Sequence, residues 1–250
     1  MMTYVELGVS SLERSLELYS DLLGFPAIES TVDLRGRRVT VLGSGPGTVR
    51  LVEVGPGGRP TDWDADDLQC GIRHFGMKVA DIDAWTGRLK AAGLSFARDP
   101  LDAFGGVRIA FFFDPDGAYL ELVQGYVQHN NLWSAELAQQ EVDGDQGWDG
   151  SPRFDHVAVT VPDLNEALEL YTGRLGFGGV GQLVRPDEER GFLITNLRAG
   201  GTLEVFTFDQ PTFRRPAGTE PDRLGLRAIG MRGVDGDELG PGDVPLKAGR

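Results

Sequence analysis

The chain has little of what would tie it to an oxidising compartment, a membrane or a nucleic acid. It carries one cysteine, Cys70, in 250 residues, so no internal disulfide can form. That scarcity fits a reducing, cytoplasmic setting, with Cys70 read as a small buried thiol. No apolar run approaches the roughly 18 residues of a membrane span. The opening Met1-Met2-Thr3-Tyr4 lacks the basic stretch and apolar core of a secretory signal. Basic residues are outnumbered, 24 Lys and Arg against 38 Asp and Glu, giving a net charge of −14. Nucleic acid is held by a basic face that displaces counterions, so this balance argues against it and against anionic lipid. What remains, 40% apolar and 25% charged, is the composition of a globular protein whose acidity serves solubility.

What the chain does have is a repeat. Val9-Ser10-Ser11-Leu12-Glu13-Arg14-Ser15-Leu16-Glu17-Leu18-Tyr19, leading to Leu23-Gly24-Phe25, returns 152 residues later as Val161-Pro162-Asp163-Leu164-Asn165-Glu166-Ala167-Leu168-Glu169-Leu170-Tyr171 and Leu175-Gly176-Phe177. A second pair, Gly71-Ile72-Arg73-His74-Phe75-Gly76-Met77 and Gly225-Leu226-Arg227-Ala228-Ile229-Gly230-Met231, lies 154 residues apart. A unit of about 150 residues is thus duplicated, each copy holding two related modules.

Each module opens with an apolar strand and a polar turn, then an amphipathic helix. Leu12, Leu16, Tyr19 and Leu23 fall at helical spacing, as do Leu164, Leu168, Tyr171 and Leu175, with Gly24 and Gly176 where a helix ends. Apolar runs broken by turns follow, and Asp114-Pro115-Asp116-Gly117 reads as a tight turn between two strands. The module is βαβββ. Residues 128–152 read as a linker with a short helix over Trp133 to Gln140 and a solvated, mobile Glu141–Gly150 stretch.

Polar residues on buried strand faces need partners. His74 and His156 occupy the same place in two opening strands, and Glu121 and Glu204 sit in two closing strands, 47 and 48 residues further on. A carboxylate flanked by apolar strand residues is costly without a cation. Two such His–Glu pairs point to a divalent metal, with imidazole and carboxylate suiting Zn, Ni, Co, Mn or Fe.

These motifs resemble the vicinal oxygen chelate superfamily, which includes glyoxalase I, extradiol dioxygenases and bleomycin-resistance proteins. The resemblance rests on the strand–Asp-Leu–helix–Tyr–Leu-Gly-Phe opening, the Asp114–Gly117 turn and the closing Leu-Glu-Leu or Leu-Glu-Val. It implies an α+β fold of tandem βαβββ modules forming two cupped mixed sheets, the fourth module truncated. It also implies a division into a paired-module domain at 1–127, the linker at 128–152 and a second domain at 153–250. Metal ligands are expected at His74, Glu121, His156 and Glu204, with Glu121 or Glu204 as catalytic base and a small-molecule substrate bearing adjacent oxygens.

The first module departs from this pattern. Tyr4 stands in the histidine place and Leu51 or Val52 in the glutamate place, with Glu6 and Glu53 nearby. In the fourth, Ala228 replaces histidine and the glutamate would fall beyond Arg250. Neighbouring modules could pair, giving one His and one Glu per cavity. The second could instead pair with the third, uniting all four ligands, or a homodimer could join the half-sites. A metal-free drug-sequestering protein is the alternative, with Phe104, Phe111, Phe113, Trp133 and Trp148 as stacking surface.

Overall fold

The computed structural model describes residues 1–61, 66–185, 187–214 and 221–249. The first module runs β1 (Met2–Val9), α1 (Leu12–Leu16), β2 (Ala27–Val32), β3 (Arg38–Ser44) and β4 (Gly47–Glu53). The second is β5 (Gly71–Lys78), α2 (Ile82–Ala91), β6 (Phe96–Asp102), β7 (Arg108–Phe113) and β8 (Tyr119–Gln124). A short β9 (Asn131–Leu132) and α3 (Ala135–Asp143) connect it to the third module. That module comprises β10 (Arg153–Thr160), α4 (Leu164–Leu168), β11 (Gly178–Val184), β12 (Leu193–Ala199) and β13 (Gly201–Thr207). The fourth has three strands, β14 (Gly225–Met231), β15 (Asp237–Gly240) and β16 (Val244–Ala248).

The helices start where their caps predict. Side-chain oxygens of Ser11, Asp81, Ser134 and Asp163 accept from backbone N–H groups of the first turns, which lack intrahelical acceptors. Both α1 and α4 run on into a wide π-type turn, over Glu17–Leu22 and Glu169–Arg174, closed by Leu23 N–H to Leu18 O and Leu175 N–H to Leu170 O. Gly24 and Gly176 then take positive φ values of 81° and 72°, which a side chain would resist. The turned chain delivers Phe25 and Phe177 into the core beside Tyr19 and Tyr171. Each such aromatic or leucine buried contributes roughly 1.5–3 kcal/mol.

Strand order settles the pairing of modules. One sheet reads β15-β16-β14-β1-β4-β3-β2 and the other β6-β7-β8-β5-β10-β13-β12-β11-β9. The second module therefore joins the third through antiparallel β5 and β10, and the first joins the fourth through antiparallel β1 and β14. Each sheet draws one module from each side of residues 128–152, so the layers do not follow the expected segments 1–127 and 153–250. Within every module the opening and closing strands lie parallel. The fourth module keeps that frame while lacking the helix. It is shortened internally, and β16 supplies the closing strand expected to lie beyond the chain.

One apolar core runs through both sheets, from Val5, Leu7 and Leu51 to Phe75, Val157 and Leu203. The residues expected to form a loose linker are tied down. Glu141 pairs with Lys78 and Asp145 with Arg153, Tyr126 donates to Asp145, and the Arg153 guanidinium lies 5.0 Å from the Trp148 ring. Cys70 is buried, and burial raises its thiol pKa. Among the described residues no helix is long and apolar enough to cross a membrane.

Candidate metal centre

All four expected ligands come together on one cavity wall of the nine-stranded sheet, from the four adjacent strands β8, β5, β10 and β13. Register explains how. His156 on β10 stands opposite Gly76 on β5, which pairs with Glu121 on β8, while His74 on β5 stands opposite Ala158 on β10, which pairs with Glu204 on β13. Each imidazole thus faces one of the two smallest residues on the neighbouring strand. That arrangement leaves room for the rings to lean towards each other.

Nε2 of His74 and Nε2 of His156 are 3.0 Å apart. Glu121 Oε2 lies 3.0 Å from the first and 2.9 Å from the second, and Glu204 Oε2 lies 3.5 Å from His156 Nε2. Ligand atoms of His74, His156 and Glu204 all fall within 4.8 Å of one another. Two ligands held at right angles by bonds of about 2.1 Å would be about 3 Å apart. The donor set fits a borderline divalent cation on two grounds. Two nitrogens and one carboxylate oxygen in mutual contact cannot all be satisfied by each other's protons, whereas a central cation satisfies all three. The set of two imidazoles and two carboxylates also brings two acids into a buried place, where their ionised forms need a cation for compensation.

The electrostatics separate the two acids. Burial works to raise Glu121, but the charges and hydrogen bonds of His74 and His156 outweigh it and hold the carboxyl down to about 2. Glu204 is pushed up to about 7, by burial first and then by the charges of Glu121 and Asp155, against the pull of His156. Burial lowers His74 to about 4. It acts the same way on His156, yet Glu204, Asp155 and Glu121 prevail and raise that ring well above its ordinary value.

Asp155 was not among the residues singled out from sequence. Its Oδ2 lies 2.9 Å from His156 Nδ1. Strand alternation places residue 155 on the opposite face from 156, but the β5–β10 register shifts between Phe154 and His156, and this bulge brings both side chains to one side. A carboxylate on Nδ1 fixes the tautomer that leaves Nε2 free to coordinate. His74 Nδ1 has no such acceptor among the described residues. Lys78, 2% exposed, pairs in turn with Asp155 at 3.4 Å and with Glu141 of α3.

The cluster forms part of the wall of a cavity of about 520 Å³, whose apolar lining includes Phe104, Phe111, Ile194, Phe192 and Phe206. Of the aromatics expected to stack on a ligand, Phe104 and Phe111 line it. Trp133 instead packs on Gly179 of β11, Trp148 on Arg153, and Phe113 on Tyr119. Among the described residues the first module builds no comparable cluster. Register places Arg50, not Leu51 or Val52, in the glutamate place, Glu6 is paired with Arg50, and Glu53 is held by Arg38.

A family model described as Glyoxalase/Bleomycin resistance protein/Dioxygenase superfamily matches residues 2–122. A probable lactoylglutathione lyase of Vibrio cholerae is 30% identical over 131 residues, covering 50% of this chain and 91% of that protein. A lactoylglutathione lyase of Arabidopsis thaliana is 26% identical over 188 residues, or 74% of this chain. The chain spans only 57% of that plant protein's length. Among solved structures, a V278E glyoxalase I mutant from Zea mays superposes with a TM-score of 0.66 at 19% identity, over 99% of this chain and 92% of that one.

Proposed function

Given that the chain belongs to the glyoxalase/bleomycin resistance protein/dioxygenase superfamily, we propose that it is a metal-dependent enzyme of the isomerase or lyase kind, acting on a small molecule that offers two adjacent oxygens. The observation that carries this reading is the convergence of His74, Glu121, His156 and Glu204, from one chain, on the wall of one ligand-sized cavity.

A bound divalent ion supplies Lewis acidity at the substrate oxygens. The side chains divide the remaining work. Glu121, between two imidazoles and strongly acidic, stays a ligand. Glu204 is more loosely placed, at 3.5 Å from His156, and burial with the neighbouring Glu121 and Asp155 charges raises its proton affinity, which suits it to take and return a proton. Asp155 holds His156 in the coordinating tautomer. The phenylalanines around the cluster exclude water, and the Arg98 and Arg185 that line the same cavity suit a substrate with an anionic tail.

A second carboxylate favours this chemistry over oxygen insertion. His74, His156 and Glu121 would make a two-His-one-carboxylate set, and Glu204 adds beside it an acid placed to move a proton, which isomerase or lyase chemistry uses. The test is reconstitution with Zn, Ni, Co, Mn and Fe(II), elemental analysis, and assays for lactoylglutathione lyase and catechol dioxygenase activity. About one equivalent of tightly held metal is expected, with turnover lost in His156→Ala. Less than a tenth of an equivalent after reconstitution would reject the proposal. The aromatic walls favour the second reading, a metal-free binding protein, for which His156→Ala leaves ligand affinity intact.

A further inference from the structure

The first and fourth modules repeat the frame of the metal-ligand strands with the charges reversed. Tyr4 on β1 stands opposite Gly230 on β14, as His156 stands opposite Gly76, and Gly230 pairs with Lys247 on β16, as Gly76 pairs with Glu121. Glu6 stands opposite Ala228 and pairs with Arg50, as Ala158 stands opposite His74 and pairs with Glu204. The likeness extends to packing. A Cβ on Gly230 would lie 2.2 Å from the Tyr4 ring, as one on Gly76 would lie 2.1 Å from the His156 ring. Two cations, Arg50 and Lys247, therefore hold the positions of the two glutamates.

Glu6, 1% exposed, lies 2.9 Å from Arg50 Nη1, 2.9 Å from Lys247 Nζ and 3.7 Å from Arg227 Nε. Three cations around one carboxylate leave two positive charges uncompensated at the floor of a cavity of about 650 Å³. Arg227 is itself only 7% exposed, and its Nη1 has no acceptor among the described residues. Among the described residues, the other acids lining the cavity do not cancel this excess. Asp33 is paired with Arg37 at 2.6 Å, Glu238 is paired with Arg174, and the remaining acid, Asp237, which stands opposite Lys247 in the β15–β16 register, is matched in the lining by a further cation, Arg35.

We propose that this second cavity is an anion site, taking a small molecule through a carboxylate or phosphate group held by Arg50, Arg227 and Lys247. Half-buried cations in a low-dielectric wall attract anions locally even though the whole chain carries a net charge of −14. Guanidinium groups bind the paired oxygens of such a ligand with charge-assisted hydrogen bonds, and the ligand supplies the acceptor that Arg227 lacks.

The experiment is calorimetric titration of the full chain with inorganic phosphate and, separately, malonate, at fixed ionic strength. Saturable binding of one equivalent of either probe is expected. It should weaken at least tenfold in Lys247→Met, tighten in Glu6→Gln, where the internal carboxylate no longer competes, and stay unchanged in His156→Ala. Binding of neither probe, or binding lost in His156→Ala and kept in Lys247→Met, overturns the proposal. Should Lys247→Met fail to fold, the wild-type protein decides through its arginine side-chain NMR signals. Phosphate shifting the Nε–H resonances of Arg50 and Arg227 supports the site. Shifts confined to Arg73 and Arg98 of the metal-side cavity refute it.

Discussion

The His156 imidazole lies directly over Gly76, where a Cβ would come within 2.1 Å of its Cε1 and 2.4 Å of its Nε2. The glycine is required there for space alone, since its φ is not in the left-handed region. Gly76→Ala should therefore fold, at a cost of about 1–3 kcal/mol for overpacking, while displacing the ring from the cluster. Metal affinity should fall by one to two orders of magnitude, comparable to losing an orienting partner. Competition against a calibrated chelator measures it. Unchanged affinity would show that the ring does not need this position to coordinate.

Glu121 and Glu204 are expected to fail differently when made neutral. Glu121 contacts both imidazoles within 3.0 Å, so Glu121→Gln should lose metal, and activity with it. Glu204→Gln should retain metal while kcat drops about 10²–10⁴-fold, the usual contribution of a general base. Metal content and kcat measured on the same samples separate the two roles. Equal metal loss in both variants would mean that Glu204 is a ligand and no more.

Asp155→Asn tests the support behind His156. The amide cannot stabilise the positive edge of the ring as the carboxylate does, and metal affinity should fall about 10–100-fold. Lys78→Met should follow the same trend more weakly, because it loosens Asp155 without removing it. Both are positioning effects, so saturating metal should restore kcat in each variant. Failure of that rescue would place Asp155 in the chemistry itself.

The repeat made the clustering of the four candidate ligands legible, because position within a module is kept by duplication whatever the intervening loops do. The same offset logic failed at Arg50 and Lys247. Sequence offset from Glu204 points to Val52, and only the β1–β4 register places Arg50 in that role. In the fourth module the missing helix brings the closing strand forward to Val244–Ala248, so counting from Ala228 overshoots it. Asp155 escaped notice for a third reason. A bulge breaks the alternation on which face assignment depends. Insertions, deletions and bulges change spacing without leaving a mark in residue type. The cavity aromatics suffered likewise: Phe111 and Phe113 belong to the same strand and look alike in sequence, yet only Phe111 lines the metal-side cavity.

Asp114, in the tight turn after β7, offers a test away from the metal ligands. It accepts from the N–H groups of Asp116 and Ala118 and from the Tyr19 hydroxyl at 3.0 Å, and burial, with the nearby Asp116 charge, pushes its carboxyl up to about 6 from the ordinary 3.8. The folded state thus holds this proton more tightly than the unfolded chain. Between about pH 4 and pH 6 the folded protein binds more protons at this site, so its contribution to stability falls as pH rises and levels off above about 6. The slope can reach about 1.4 kcal/mol per pH unit. Asp114→Asn keeps an acceptor oxygen for the two backbone donors and cannot ionise, so urea midpoints of the variant should lose that decline relative to wild type. Parallel wild-type and variant profiles across this range would mean that Asp114 is ionised in the folded protein well below pH 6.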